Sequence, residues 1–436
     1  MEISPHMIGI IGFIALLVLM VLRVPVVYCL LVVGLVGMAV LRGWNAGIAT
    51  VVATLFHKFA SFSFAPVPLF ILMGYLAGHS GIMDDLFDAA KSFIGHYRAG
   101  LLNSALLGGA AFGCVCGGSS AAAPTLSRTV IPVLLKNGTE RKLAIGCVSA
   151  ASILSPLIPP STVGMLVAVL MEVSIGRVLI GGIGPGLLFC GLWILYTWHA
   201  VKKNPSLAPI SERCGWKERC MSLTKVVEFM IIMMVVVVGI YTGFFSTTEA
   251  GAVASAAIML TLLFRRRLTF ELVMRSLRDT ADTLSTAFII IGSAFTFGAF
   301  LTLTKLPAVF ARWISTLAIP PILIMTVIVT FYLIMGMFMG LTSIIYITVP
   351  VLAPVVSALE YDLVWFSVLL LVASSIGSLS PPFGNTLFAM KATVENTTLS
   401  EVYAAATPYT IVAFIGCYLC VFFPIIIMFL PNTMRG

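Results

Sequence analysis

Gly117-Gly118-Ser119-Ser120, and the Pro159-Pro160-Ser161-Thr162 that follows, interrupt long apolar runs in which helix-breaking residues should be scarce. Both interruptions recur, because Gly340-Leu341-Thr342-Ser343 is followed by Pro381-Pro382-Phe383-Gly384. Gly118 and Pro159 stand 41 residues apart, as do Gly340 and Pro381; the copies are offset by 222 residues, at which Pro132 also meets Pro354. Broken, small-residue-rich membrane segments at corresponding positions of two halves are the sequence pointer to a transporter's binding site. Gly and Ser can serve tight helix packing and Pro can simply kink a helix. Repetition at one spacing argues against that reading for all four motifs together.

Around these breaks the composition is that of a membrane protein. The 436 residues are 60% hydrophobic and 10% charged, with a mean hydropathy of +1.10, beyond what a soluble domain tolerates. The apolar runs are long and do not alternate, which predicts helices rather than a β-barrel. The formal charge of +8 reads as basic residues gathered in cytoplasmic loops, not as a nucleic-acid surface. Nine cysteines are scattered. Cys114 and Cys116 form the only close pair, with no His cluster beside them, so they read as small apolar packing residues rather than a metal centre or a disulfide. The dispersed histidines suggest no proton relay. Met7–Leu22 lacks a basic leader and a clear cleavage context, and reads as a retained helix.

In chain order the sequence predicts spans at Met7–Leu22, Val24–Leu41 and Pro66–Gly78, with a mixed interfacial segment at about 46–60 and a polar loop or interfacial helix at Asp84–Arg98. A helical hairpin entering and leaving on one side follows at about 101–135, then a broken helix at about 143–170 and a span at Val178–His199. Residues 200–225 form a basic linker. The pattern then restarts with spans at Val226–Phe244, Ala250–Phe264 and Leu284–Thr304, a hairpin at about 321–357, a broken helix at about 363–391 and a closing span at Thr410–Leu430. Residues 1–199 and 226–436 thus read as two repeats, each of about five transmembrane helices and one re-entrant hairpin. An odd number of crossings inserts the second repeat upside down. With the linker in the cytoplasm, Arg42, Lys58, Arg177, Lys305, Arg312 and Arg435 are the basic residues left outside; Arg128 falls within the first hairpin, and the rest of the 25 Lys and Arg face inward, the asymmetry that sets orientation. The expected fold class is an all-α polytopic membrane protein of two inverted-topology repeats.

Where a hairpin tip meets an interrupted helix, carbonyls lose their helical partners and Ser and Thr hydroxyls add further oxygens. That donor set suits Na+, and half-helix N-termini can face a carboxylate. Gly117, Gly118, Ser119 and Ser120 are therefore paired with Ser155, Pro159 and Ser161 as one Na+ site. Gly340, Thr342 and Ser343 are paired with Ser380, Pro381 and Gly384 as a second. The substrate candidates between them are Ser120, Ser161, Thr162, Thr342 and Asn385. Arg128 is either an attractor for an anionic substrate or a side chain that snorkels to the surface. Glu249 reads as an N-terminal helix charge.

Taken together, several stretches resemble the large membrane subunit (DctM-like) of tripartite ATP-independent periplasmic (TRAP) transporters, over most of the chain. They are Val67-Pro68-Leu69-Phe70-Ile71-Leu72-Met73-Gly74, Gly118-Ser119-Ser120-Ala121-Ala122, Leu157-Ile158-Pro159-Pro160-Ser161-Thr162, Ser174-Ile175-Gly176, Gly184-Pro185-Gly186, Thr248-Glu249-Ala250-Gly251-Ala252, Thr348-Val349-Pro350 and Ser380-Pro381-Pro382-Phe383-Gly384. The combination carries the resemblance; no single motif does. It implies an elevator-type member of the ion-transporter superfamily in the bacterial cytoplasmic (inner) membrane, importing an organic acid with Na+ as the coupling ion. It also implies two partners: a soluble periplasmic substrate-binding protein (DctP-like) and a small membrane subunit (DctQ-like). The chain departs from the family where Gly340 follows Gly336-Met337-Phe338-Met339 in place of a common Asp, and where Ala123 takes an often polar position. The nearest rival is a standalone anion or dicarboxylate permease of the same superfamily. An intramembrane enzyme is disfavoured, because neither His-Glu-x-x-His nor Gly-x-Gly-Asp occurs.

Overall fold

The computed structural model describes residues 4–117, 119–210, 213–316, 319–394 and 396–435, which form helices and turns with no strand among them. The first half runs α1 (Pro5–Val21), α2 (Val26–Arg42), α3 (Trp44–Phe59), α4 (Pro66–His79), α5 (Ile82–Ile94), α6 (Gly100–Cys116), α7 (Ser119–Lys136), α8 (Arg141–Ile153), α9 (Thr162–Leu170), α10 (Ile175–Gly181) and α11 (Ile183–Lys203). The second runs α12 (Trp216–Thr242), α13 (Thr247–Phe264), α14 (Phe270–Thr304), α15 (Leu306–Thr316), α16 (Pro321–Phe338), α17 (Leu341–Ala358), α18 (Leu363–Leu379), α19 (Asn385–Thr393), α20 (Leu399–Phe422) and α21 (Ile425–Thr433). Eight helices among the described residues are long and apolar enough to cross a membrane.

The helix bounds repeat at the offset seen in the motifs. Adding 222 to the bounds of α2 gives 248–264, against Thr247–Phe264 for α13, and adding it to those of α7 gives 341–358, the bounds of α17. Likewise α9 maps onto 384–392, beside α19 at Asn385–Thr393. The packing exchanges partners in the same way. α2 lies on α14, with Gly34 against the backbone of Phe297, while α13 lies on α4, where Ser255 Oγ donates to the Leu69 carbonyl at 2.7 Å.

α4 and α14 run antiparallel. Going down α4 in residue number, His79 meets Asp279 at 3.2 Å, Tyr75 shares a 2.7 Å hydrogen bond with Thr283, and Phe64, just before α4, stacks edge-on against Phe288 at 5.6 Å. The offset maps α4 onto 288–301, inside α14, so α4 lies against its own counterpart in the opposite sense. α11 and α20 repeat the relation: Trp193 Nε1 donates to the Tyr409 carbonyl at 3.0 Å, and Gly416 meets Phe189. Without a hydrophobic drive between helices in lipid, contact depends on how closely backbones approach. A Cβ on Gly336 of α16 would stand 2.8 Å from Gly377 Cα of α18, so only glycine permits that crossing.

Three helices start ten or more residues before the position expected of the sequence, each opened by a cap. α12 begins at Trp216, inside the stretch read as linker, where Glu218 accepts from the Gly215 N–H at 3.3 Å. α14 begins at Phe270, not Leu284, because Thr269 Oγ1 accepts from Leu272 N–H at 3.1 Å and one continuous 35-residue helix follows. The closing helix α20 occupies Leu399–Phe422 instead of 410–430, opened by a reciprocal cap between Thr398 and Glu401 and ended before Pro424.

Candidate functional site

The first interruption is a sharp break between α6 and α7. Gly117 caps α6 in the left-handed region (φ 63°), and its N–H donates to the Gly113 carbonyl at 3.1 Å. A Cβ there would stand 2.4 Å from Thr162 Oγ1 and 2.8 Å from Thr162 N. The tip therefore sits directly on the start of α9, and the Val163 N–H reaches the Gly117 carbonyl at 3.4 Å. One turn back, a Cβ on Gly113 would be 2.8 Å from Ser155 Cα, so α6 also lies against the break between α8 and α9. Gly118 falls outside the described residues; Ser119 and Ser120 open α7, and their side chains likewise fall outside.

At that break α8 stops at Ile153 and α9 starts at Thr162, with a cis Pro159–Pro160 bond between them. The hydroxyl of Ser155 is fully buried and has no hydrogen-bond partner. A buried unpaired hydroxyl costs about 1–3 kcal/mol, so its retention fits an oxygen held for a ligand. Ser161, 2% exposed, accepts from the Gly164 N–H at 2.9 Å and so serves as the N-cap of α9.

The second interruption is built alike. Gly340 caps α17, with the Asn385 side-chain nitrogen 3.1 Å from where its Cβ would be. Gly384 lies over the Ser378 and Ser380 carbonyls, at 2.4 and 2.8 Å from its would-be Cβ, next to the cis Pro381–Pro382 bond. Here α20 meets two acceptors: the Thr410 hydroxyl is shared between the Leu379 carbonyl at 3.2 Å and the Ala406 carbonyl of its own helix at 3.1 Å, and the Tyr403 hydroxyl donates to the Pro382 carbonyl. The Ser380 hydroxyl donates within its own helix, to Ile376 at 2.8 Å. The unpartnered hydroxyls on this side belong to Ser374 and Ser375 of α18, which the sequence reading did not single out. Their signal was a Ser-Ser pair in an otherwise apolar helix.

The two tips share one cavity of about 630 Å³. Gly117, Thr125, Thr162, Thr342 and Tyr346 line it from the broken elements, and Tyr75, His79, Asp282, Thr283 and Thr286 line it from α4 and α14. Asp282 and Thr283 were missed because a helix starting at Leu284 leaves them in a loop. The wall has hydroxyls, one His and one Asp, and no Lys or Arg among the described residues. Several of the sequence candidates stay off this wall. Ser155, Pro159 and Ser161 at the first break do not line it, nor do Gly340 and half-buried Ser343 at the start of α17, and neither do Ser380, Pro381, Gly384 and exposed Asn385. Arg128 is exposed on α7 and also lies off the wall.

A second cavity, of about 820 Å³, lies further along the same helices. Thr162, Val163 and Leu166 of α9 face the first, while Ala168 and Val169 face the second. Lys58 and Glu172 form an ion pair at its rim, and Lys58 Nζ lies 5.1 Å from the centre of the Phe295 ring.

The family model of the tripartite ATP-independent periplasmic transporter DctM component matches residues 13–426. The chain is 29% identical to the C4-dicarboxylate TRAP transporter large permease protein DctM of Pseudomonas aeruginosa, over 87% of this chain and 88% of that one. It is 28% identical to the sialic acid TRAP transporter large permease protein SiaM of Vibrio cholerae, over 86% and 88%. The crystal structure of the Alcanivorax borkumensis YdaH transporter has a similar fold, with a TM-score of 0.63 at 16% identity, covering 86% of this chain and 88% of that one. With a family match across nearly its whole length, this chain belongs to the DctM component family of tripartite ATP-independent periplasmic transporters.

Proposed function

We propose that this chain carries an organic acid across the membrane together with Na+, by an elevator movement, after a periplasmic binding protein (DctP-like) delivers the substrate. A small membrane subunit (DctQ-like) braces it. As a family member with eight membrane-length apolar helices, it is a multi-pass protein of the bacterial inner membrane. The organic-acid reading leans on relatives named for C4-dicarboxylate and sialic acid.

The observation that carries the Na+ reading is the buried, unpartnered Ser155 hydroxyl at the α8–α9 break, against the helix whose tip lines the shared cavity. Na+ takes oxygen ligands from broken helices and hairpin tips, and the residues here fit. Ser155 and the Gly117 carbonyl would hold one ion. Thr342 and Gly340, with Ser374 and Ser375, would serve a second. A cavity lined by His79 and Asp282 without Lys or Arg leaves an anion's charge to be met by cations and by the N-termini of α9 and α17. Each Na+ moved inward contributes about 2.3 kcal/mol per 100 mV.

Inversion of the repeats is supported by α4 lying antiparallel to its own counterpart. A two-fold axis in the membrane plane reverses a helix, whereas one along the normal does not. The elevator is supported by cavities at two levels of α4, α9 and α14. In this reading α1–α4 and α12–α14 stay fixed while the hairpins and broken helices travel. The test is uptake by proteoliposomes holding both membrane subunits, with and without the binding protein. Uptake that requires Na+ and the binding protein supports the proposal. Na+-driven uptake of free substrate by this chain alone would favour a standalone permease.

A further inference from the structure

A second kind of site lies away from the carboxylate path. Between α1, the α14–α15 corner and the helix pair α16–α17 is a cavity of about 420 Å³, walled by residues such as Phe13, Leu301, Phe310, Ile328, Val351 and Leu352. The hydroxyl in its wall, Thr348 Oγ1, is already engaged: it donates to the Ile344 carbonyl at 2.7 Å and bonds the Tyr332 hydroxyl. No polar ligand has anything to bind there, and apolar cavities of this kind stay dry and take apolar guests.

Its mouth opens on a lipid-facing surface. α16 exposes Leu323 (49%), Val327 (68%), Phe331 (41%), Ile334 (48%) and Phe338 (56%) at the spacing of one helix face. Val327 and Phe331 belong both to that face and to the cavity wall. α15, which contributes Leu306, Pro307 and Phe310 to the wall, is amphipathic: Ala311 and Ile314 are buried, while Arg312 and Trp313 are exposed. Exposed Lys305 immediately precedes it. Trp and basic residues at such a position mark the headgroup level. The size favours a single chain. At about 30 Å³ per methylene, taken as equal to water's share of liquid volume, the cavity holds roughly 14 methylenes. A helix about 10 Å across would fill it with roughly one turn.

We infer that this cavity holds one acyl chain of a phospholipid, with the lipid phosphate against Lys305 and Arg312. The chain would sit between the second helix pair and the helices read as fixed.

The test is native mass spectrometry of the detergent-purified full chain, alone and with its small membrane subunit, titrated with dioleoyl phosphatidylglycerol. Wild type is expected to retain one lipid through delipidation. Val351→Trp, which fills the cavity, is expected to weaken retention at least tenfold. Because that variant alters a packed wall, the surface double variant Lys305→Gln/Arg312→Gln provides an independent arm and is expected to weaken retention at least threefold. Wild-type retention by either variant overturns the assignment, as does loss of the lipid when the small subunit is present, since a protein segment would then be the occupant.

Discussion

Gly117 is constrained twice, by its left-handed backbone and by the contact of its α-carbon with Thr162. An alanine there faces a left-handed penalty of about 1–2 kcal/mol and a methyl 2.4 Å from Thr162 Oγ1. Gly117→Ala is expected to lower Na+-dependent uptake at least tenfold while the protein still inserts, read from initial rates and membrane abundance. Wild-type rates would mean that the tip need not seat on α9. Ser155→Ala separates a ligand from a packing residue. Removing an unpaired buried hydroxyl should leave melting temperature unchanged or raised, while the half-saturating Na+ concentration for uptake rises severalfold. An unchanged Na+ requirement would remove Ser155 from the site. Thr342→Ala should behave likewise, since Thr342 lines the shared cavity from the second tip. Spacing and residue type pointed in the sequence to the backbone breaks at the two tips and to a Ser at the α8–α9 break. They could not show that Arg128 faces outward, because that depends on how α7 is rotated against its neighbours, whereas the capping of α9 by Ser161 is a local contact with Gly164.

At the scale of elements, the interrupted helices were the legible part, since Gly and Pro act on the local backbone whatever surrounds them. The 35-residue α14 was not. Arg275, Arg278, Asp279 and Asp282 in its first half break the apolar pattern, and only packing explains them: His79 pairs with Asp279, and Asp282 faces the cavity. The antiparallel run of α4 against α14 makes a prediction of its own. The Lys58–Glu172 pair marks one end of these helices, and Arg267, 3.3 Å from Asp85 and 3.2 Å from the Ser80 carbonyl, marks the other. The 14 residues of α4 span about 21 Å at 1.5 Å per residue, most of a hydrocarbon core. In a cysteine-free background, Lys58→Cys should react with an impermeant maleimide from outside the cell and Arg267→Cys only after the membrane is opened. Reaction of both from the same side would contradict the inverted arrangement.

For the whole molecule, the first helix pair, the start of α9, the first turns of α17 and the helices α4 and α14 meet around one cavity, and a second cavity lies beyond it along α4, α9 and α14. The two breaks are not equivalent. At the second, α20 meets the Leu379 and Pro382 carbonyls through Thr410 and Tyr403, and the unpaired hydroxyls are those of Ser374 and Ser375 inside α18; at the first, the unpaired hydroxyl is that of Ser155, within the break itself. Ser155→Ala should therefore shift the Na+ dependence more than Ser380→Ala, whose hydroxyl is engaged within α18. Equal shifts in the two variants would contradict this asymmetry. The most direct measurement is substrate uptake into proteoliposomes carrying both membrane subunits, with loaded binding protein outside and the Na+ gradient as the variable. The account predicts accumulation with an inward Na+ gradient, more of it with a negative interior potential if more positive than negative charge enters per cycle, and none when choline replaces Na+. Equal accumulation in choline would contradict it.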